Sequence, residues 1–494
     1  MRIAAVIAAL VGSSLPARAD EPDTLTRTLK EILRSPELEG VSVGVHVRSV
    51  SDGRTIFERD GSRLLNPASN VKLVTSALAL SHLGPAYRFR TLVYRDGSIR
   101  NGALQGNLYV KGFGDPTLTS ENLFGIINEI ALSGIQRLQG SIVVDDTFFD
   151  AVTDGPGWDQ EASDRSYAPA IGALAVNYGT FTVRVLPGES VGAPARVVLW
   201  PDVPSLEVAS SVTTRAGGSR SRLWIGTSVR DDGGVLATIR GAVAAGEPLG
   251  EEIYRRVNQP GIYAGQTIKR MLELRGVSVE GTIKLAAVPR QNVVLVASHV
   301  SEPLGSIVST LNKHSSNFIA EMILKTVAAE LRGSPGTWQK GAELMTEFLV
   351  GLGLPAGSFV LENGSGLNDV NRMSPEQLTL LLRAMHRQPE IANEYAASLA
   401  VAGSSGTITS RFADSPAEGR LRAKTGSLTG VSALSGYVTT RDDQLLAFSI
   451  MMNGYEGRAR LMWKVQDRIG AALADAAVAQ GPRLGLGPVA SPAR

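Results

Sequence analysis

The chain of 494 residues contains no cysteine. This absence excludes a disulfide framework, a lipid-modified cysteine and catalysis by a thiolate. No group of histidine, aspartate and glutamate residues has the spacing of metal ligands, so we predict neither a metal nor another cofactor.

The chain also has little net charge and no long apolar run. Lysine and arginine total 49 against 47 acidic residues, and the formal net charge of +2 favours neither a nucleic-acid partner nor an anionic surface. No segment has the length of uncharged apolar sequence that spans a bilayer, so we expect no integral membrane segment. The length fits two or three domains, and the apolar fraction of 43% fits a full globular core.

The two ends of the chain carry signals of their own. Arg2 precedes an apolar run over 3–11, and Ala17-Arg18-Ala19 is an A-x-A ending. This layout predicts a secretory signal peptide over 1–19 and an exported protein, periplasmic in a Gram-negative host. The Gly/Pro/Ala-rich stretch over 481–494 predicts a disordered tail.

The pattern between the ends predicts an α+β fold. Alternating residues at 41–47 favour a strand, a buried helix follows Ser69, and short β-rich runs dominate from 85 to 300. Helices return beyond 304, followed by strands near 419–425, 433–439 and 444–452 and a helix over 458–478. We predict a helix-and-antiparallel-sheet domain from 20–84 and 301–480. An insertion over 85–185 and 246–300 interrupts it and carries a nested small β domain over 186–245.

One sequence pair suggests nucleophilic chemistry. Ser69 and Lys72 lie three residues apart at the start of the buried helix, so their side chains share a face. A serine beside a lysine supplies a nucleophile and a base without histidine. Alone, this pair is common by chance and also typical of a helix cap beside a solvated lysine.

Two further motifs extend the pair. Ser315-Ser316-Asn317 stands where a helix begins, and Lys424-Thr425-Gly426 lies in a predicted strand. Separately they fit a helix N-cap and a solvated lysine. In this order, the three motifs form the signature set of the active-site serine enzymes of the penicillin-binding and β-lactamase group.

Acyl-transfer chemistry accounts for the residue types. Ser69 would attack a carbonyl, and Lys72, its pKa lowered by burial and by a second cation, would take the serine proton. Ser315 would relay a proton to the leaving amine, while Asn317 orients Lys72 and the substrate amide. The backbone N–H groups of Ser69 and Ser427 would form the oxyanion hole.

The strand motif would hold the substrate. Lys424 would bind a terminal carboxylate and Thr425 would donate a hydrogen bond to it. Gly426 would let the substrate backbone lie against the strand.

The chain resembles the low-molecular-mass penicillin-binding D-alanyl-D-alanine carboxypeptidases with endopeptidase activity, a peptidase S13-like group that carries a large insertion. The long separation of Ser69 from Ser315 distinguishes it from β-lactamases and from simpler carboxypeptidases. The resemblance rests on these segments: 66–72, 112–116, 362–367, 371–375, Gly406-Thr407 with Arg411, and 424–431.

The resemblance implies a fold and an activity. The fold would be a penicillin-binding-protein/β-lactamase-like domain, an antiparallel sheet flanked by helices. The activity would be hydrolysis of D-Ala-D-Ala ends, and of peptide cross-links, through an acyl-enzyme at Ser69. Peptidoglycan stem peptides would be the substrates and β-lactam antibiotics covalent inhibitors.

Ser316 stands where the family more often has aspartate, at a place that tends to point away from the chemistry. The family is also said to read the diamino acid of the stem with an aspartate of the insertion. We assign that role to Asp145; Asp146 and a solvated turn carboxylate are the alternatives.

Other functions remain open at this stage. The same fold type serves β-lactamases and esterases acting on D-amino-acid peptides, although no matching deacylating glutamate motif is present. A catalytically silent cell-wall binding protein is an alternative of another class. The chain has five histidines, which a Ser-His-Asp site could use. Such a site is disfavoured because there is no Gly-x-Ser-x-Gly elbow. A monomer and a homodimer are equally compatible with the sequence.

Overall fold

The computed structural model describes residues 21–161, 163–218, 220–246 and 249–478. The signal peptide predicted over 1–19 and the tail predicted over 481–494 lie outside this range. The helices are α1 (Glu21–Leu33), α2 (Val71–Leu83), α3 (Ser120–Leu132), α4 (Pro260–Leu274), α5 (Leu304–His314), α6 (Asn317–Arg332), α7 (Trp338–Gly351), α8 (Pro375–His386), α9 (Ala392–Ser398) and α10 (Ala459–Asp475).

The strands alternate with these helices along the chain. They are β1 (Ser42–Ser49), β2 (Thr55–Arg59), β3 (Arg90–Arg95), β4 (Ser98–Arg100), β5 (Ala103–Gln105), β6 (Leu108–Gly112), β7 (Arg137–Leu138), β8 (Ile142–Asp145), β9 (Thr180–Leu186), β10 (Arg196–Trp200), β11 (Leu206–Arg215), β12 (Arg222–Val229), β13 (Val235–Ala244), β14 (Glu251–Arg256), β15 (Ser278–Val279), β16 (Ile283–Leu285), β17 (Val294–Val300), β18 (Ala400–Val401), β19 (Leu421–Leu428), β20 (Val431–Thr439) and β21 (Leu445–Asn453).

The two ends of the chain share one six-stranded sheet. Its order is β18-β19-β20-β21-β1-β2, and every neighbouring pair is antiparallel. Along β21, Phe448 and Ile450 face a core shared with α1 and α10, while Ala447 and Met451 face a core shared with α8. Because successive side chains of a strand point to opposite faces, the sheet is covered by helices on both sides.

Helix α2 lies in the centre of the helical layer, in contact with α5, α6 and α7. Its residues 71–80 are all buried, and its polar side chains Lys72, Thr75 and Ser76 make hydrogen bonds inside the protein. The helix ends before Gly84, whose φ of +79° lies outside the helical region.

The chain between α2 and α5 forms further sheets. A five-stranded sheet has the order β16-β8-β6-β3-β17 and packs against α3 and α4. A second sheet has the order β15-β7-β5-β4, and parallel pairs such as β6 with β8 occur in both. Helix α3 lies in the region 85–300, where the sequence predicted mainly short β-rich runs, and it was not predicted. Its signals were present: Thr119 forms a capping box with Asn122, and apolar residues recur at 123, 126, 127 and 130.

Two three-stranded sheets complete this region. One has the order β10-β9-β14, and the other has the order β11-β13-β12 with a parallel β11–β13 pair. Strand β10, within the predicted nested segment, pairs with β9, which precedes that segment. One continuous apolar core runs through both three-stranded sheets and the five-stranded sheet. The α+β class is confirmed; the domain boundaries stay a prediction.

Candidate active site

Ser69 lies in a single 3-10 turn, Ala68–Asn70, that leads directly into α2. Ala68 has φ +46°, a left-handed conformation that is uncommon for a residue other than glycine. Two side chains hold this turn: Asn66 Oδ1 accepts from Ala68 N at 2.8 Å, and the buried Asn70 amide donates to Ser435 Oγ at 2.7 Å. The serine is therefore presented from a strained, well-supported turn.

Two glycines let neighbouring segments approach this turn. A Cβ at Gly366, which has φ +74°, would lie 1.9 Å from the Ala68 carbonyl oxygen. A Cβ at Gly426 would lie 2.7 Å from the Pro67 carbonyl oxygen. Gly426 therefore lets β19 lie against the nucleophile turn, a role that the sequence analysis did not foresee for it.

Lys72 is fully buried and donates from Nζ to three oxygens. They are Ser69 Oγ at 2.9 Å, Asn317 Oδ1 at 2.6 Å and the Ser365 carbonyl at 2.6 Å. Burial lowers the pKa of Lys72 to about 7, and the negative charge of Glu321 opposes this shift. Near neutral pH a fraction of Lys72 is uncharged and can accept the serine proton.

The middle motif spans the junction of α5 and α6. Ser315 has φ +57° and accepts from Lys424 Nζ at 2.7 Å. Ser316 caps α6, because its Oγ accepts from Ile319 N at 3.2 Å. Asn317 accepts from Lys72 and donates to the Tyr167 carbonyl at 2.7 Å. One hydrogen of the Asn317 NH2 group remains for a substrate carbonyl.

The third motif lies on β19. Lys424 is fully buried and also donates to the Thr425 carbonyl at 2.7 Å. Burial, and secondly the charge of Lys72, hold the pKa of Lys424 well below its usual value. Thr425 Oγ1 donates to Thr407 Oγ1 at 2.8 Å, and Ser427 is exposed two residues along the strand.

The structure thus connects the three motifs through the hydrogen bonds of two buried lysines. Lys72 joins Ser69 to Asn317, and Lys424 joins β19 to Ser315. The arrangement provides a hydroxyl nucleophile, a lysine whose pKa lies near neutrality and a second amine that a carboxylate can pair with. Within the described ranges there is no group of three or more His, Asp and Glu residues that could hold a metal ion.

Comparison with known proteins agrees with this geometry. A family model described as the D-Ala-D-Ala carboxypeptidase 3 (S13) family matches residues 25–472. The chain belongs to this family. The S13 resemblance drawn from the sequence is therefore confirmed.

Individual relatives cover most of the S13 chain. The D-alanyl-D-alanine carboxypeptidase of Actinomadura sp. (strain R39) is 37% identical over 501 aligned residues, which cover 97% of this chain and 91% of the relative. The crystal structure of penicillin binding protein 4 from Haemophilus influenzae matches with a TM-score of 0.75 at 26% identity, over 91% of this chain and 97% of that one. The same protein complexed with a β-lactam matches with a TM-score of 0.72. The expected penicillin-binding-protein-like fold is confirmed.

Asp145, assigned to substrate binding from the sequence, lies in a network of internal hydrogen bonds. Its side chain has no exposed surface; Oδ2 accepts from Lys111 Nζ and Val288 N, both at 2.9 Å. Oδ1 accepts from Thr147 N at 3.0 Å and Thr147 Oγ1 at 2.6 Å, which is an Asx-turn. Internal donors occupy both oxygens, and none of these donors belongs to the three motifs. The substrate-binding role assigned to Asp145 stays a prediction. The alternative, Asp146, accepts from Leu174 N at 2.5 Å.

One buried carboxylate near the site was missed by the sequence analysis. Glu321 lies one helical turn after Asn317 on α6 and is fully buried. Its Oε1 accepts from Ser365 N at 2.8 Å, and its Oε2 accepts from Gly364 N at 3.0 Å and Trp338 Nε1 at 2.8 Å. It thereby fixes the loop whose Ser365 carbonyl accepts from Lys72. An acidic residue within an apolar helix, four positions after a motif asparagine, was the available signal.

Proposed function

We propose that this S13 protein is a serine D,D-peptidase. It removes the terminal D-alanine from stem peptides that end in D-Ala-D-Ala, and it hydrolyses D-amino-acid peptide cross-links of peptidoglycan. The observation that carries the proposal is the buried Lys72, in hydrogen-bond contact with both Ser69 and Asn317. Family membership supports the same substrate class.

Acylation would use the first two motifs. The neutral form of Lys72 takes the proton from Ser69 Oγ as this oxygen attacks the carbonyl carbon of the penultimate D-alanine. The backbone N–H groups of Ser69 and Ser427 stabilise the resulting oxyanion. Ser315 Oγ gives its proton to the leaving D-alanine amine and receives in turn the proton that Lys72 took from Ser69. Water then hydrolyses the Ser69 ester and restores the serine hydroxyl.

Lys424 and Thr425 would recognise the free carboxylate at the end of the substrate. Lys424 has no acidic partner among its hydrogen bonds in the described residues, which are to Ser315 and to a backbone carbonyl. A bound carboxylate would stabilise the charged form of Lys424 and so oppose the lowering of its pKa. Thr425 adds a hydroxyl beside it.

β-Lactams would acylate Ser69 by the same route. Across the described ranges, the hydrogen bonds of Ser69 and Lys72 include no carboxylate that would activate water for rapid deacylation. This supports a peptidase that β-lactams inhibit over a β-lactamase. No helix in the described ranges is long and apolar enough to cross a membrane. We propose that the protein acts on the cell wall after export, in the periplasm of a Gram-negative host.

The proposal is tested with defined muropeptides. The purified protein is incubated with a monomer ending in D-Ala-D-Ala and with a cross-linked dimer, and the products are identified by mass spectrometry. We expect released D-alanine and cleaved dimer, with neither product from the Ser69→Ala variant. Intact substrates with a folded wild-type protein would refute the proposal.

A further inference from the structure

A second cleft lies on the insertion, outside the Ser69 site. It has a volume of about 530 Å³ and lies over one face of the β10-β9-β14 sheet. Three aromatic side chains line it while remaining well exposed: Tyr178 at 40%, Trp200 at 46% and Tyr254 at 48%. Exposed aromatic surface gathered around one concavity is typical of a binding site.

Strand register places two of the rings opposite each other. Thr182 of the central strand β9 pairs with Trp200 of β10 on one side and with Tyr254 of β14 on the other. The three side chains therefore share one face, and the two aromatic residues stand about 10 Å apart across two strand spacings. A small threonine between them leaves a slot with aromatic walls.

The next row across the sheet provides polar groups. Arg184 pairs with Val198 on one side and with Glu252 on the other, and its guanidinium donates to the Glu252 carboxylate. Tyr254 Oη donates to the same carboxylate at 3.1 Å. The arginine and glutamate neutralise each other, so this row offers hydrogen bonds to an uncharged ligand.

Tyr178 occupies its position at a conformational cost. Asn177 and Tyr178 have φ values of +54° and +58°, two consecutive non-glycine residues in the left-handed region. Non-glycine residues in this region are strained and persist only where the surroundings fix them. The Asn177 side chain is fixed by Ser120 N, which donates to it at 2.9 Å.

The cleft adjoins the peptidase site. The Tyr178 ring meets Phe318 edge-on, with centroids 6.1 Å apart, and Phe318 is the residue after Asn317. In the same segment of the insertion, the Tyr167 carbonyl accepts from Asn317. These contacts place the cleft next to the segment that carries Asn317, so a polymer whose side branch enters the Ser69 site would pass close to the cleft.

We propose that this cleft binds the glycan strand of peptidoglycan, a chain of N-acetylated hexopyranose units, while the attached stem peptide occupies the Ser69 site. The faces of a pyranose ring carry C–H groups that stack on aromatic rings, and its rim carries hydroxyl and amide groups that match Arg184, Glu252 and Thr182. Identifying the polymer rests on the proposed function. The cleft would hold the substrate by its backbone and so favour stem peptides still attached to glycan.

Binding is tested with a soluble tetramer of β-1,4-linked N-acetylglucosamine, which has no peptide, by calorimetric titration of the full protein. We expect saturable binding by the wild type and at least about a tenfold loss of affinity in the Trp200→Ala/Tyr254→Ala variant. Trp200→Tyr should retain most of the affinity because it keeps a ring. Trp224→Ala is the matched control, since Trp224 is an exposed tryptophan on β12 that does not line the cleft.

Hydrolysis kinetics with glycan-linked and with free peptides test the glycan site independently of the proposed peptidase function. The double variant should raise KM for glycan-linked stem peptides with kcat unchanged, while its kinetics with a free D-Ala-D-Ala peptide stay at the wild-type level. Absence of wild-type tetramer binding, or equal binding by the double variant, would overturn the glycan site. An equal rise in KM for the free peptide would also overturn it and assign the cleft to peptide. If no peptide is hydrolysed at all, the peptidase proposal fails, and the titration still decides the glycan site.

Discussion

Lys72 explains at the residue scale how a serine can be activated without histidine. A lysine exposed to water is protonated at neutral pH and cannot act as a base. Here burial brings its pKa down to about 7, while Asn317 and the Ser365 carbonyl hold the amine against Ser69. The same burial makes the group sensitive to any nearby charge.

The pH dependence of acylation follows from this pKa. Only the uncharged lysine accepts a proton, so the rate should rise with pH through about 7 and level off above it. Below that pH the rate should fall about tenfold per pH unit. The measurement is the second-order rate constant of acylation by a β-lactam across this range. A rate that is flat across the range, or that rises only near the pKa of a free lysine, would contradict the role of Lys72.

Glu321 should act on the same step through its neighbours. Glu321→Gln removes the charge that raises the pKa of Lys72, so the rise of the rate should move to lower pH. It also sets an amide N–H against backbone donors at Gly364 or Ser365, so the maximum rate should fall by about tenfold or more.

Glu343→Gln is the control for this substitution, because Glu343 is an exposed glutamate on α7. It should change neither the rate nor the pH profile. If Glu321→Gln lowers the rate without moving the profile, Glu321 serves the structure of the loop alone.

At the scale of elements, sequence patterns located the helices and strands that carry the three motifs. The apolar run after Ser69 is α2, the cap at Ser316 starts α6, and the lysine of the third motif lies on β19. The role of Asp145 stays a prediction, because an Asx-turn carboxylate and a ligand-binding carboxylate look alike in sequence. Their difference lies in Lys111 and Val288, which are brought to Asp145 only by the fold.

Elements pack closely around Ser69, so replacing a glycine there by alanine should destabilise the protein more than the same replacement at a glycine with open space around it. Gly366→Ala places a Cβ 1.9 Å from the Ala68 oxygen, and its φ of +74° adds strain. We expect a loss of unfolding free energy of about 2 kcal/mol or more, with slower acylation as the Ser69 turn shifts. Chemical denaturation and acylation kinetics measure the two effects.

Gly357→Ala isolates the contribution of φ. Gly357 has φ +77° but no atom within 4 Å of the added Cβ, so it should lose only about 1 kcal/mol and keep full acylation. Equal effects of the two substitutions would show that packing against Ala68 is unimportant.

At the scale of the whole molecule, the insertion connects to the chemistry in a way that no local pattern reveals. The sequence predicted a β-rich insertion between Ser69 and Ser315, and the structure contains five-, four- and three-stranded sheets there. The cleft of Trp200 and Tyr254 was not predictable, because it depends on the register of β9 and β10 with β14, which is distant from both in sequence. Strand register is set by tertiary packing as much as by local sequence.

The central claim is that Ser69 is the nucleophile of the site, and one measurement tests it directly. The purified protein is incubated with benzylpenicillin, its intact mass is recorded, and the modified peptide is sequenced by mass spectrometry. We predict one covalent penicilloyl adduct per chain, located on Ser69, and no adduct in Ser69→Ala. A folded wild-type protein that stays unmodified, or an adduct on another residue, would contradict the account.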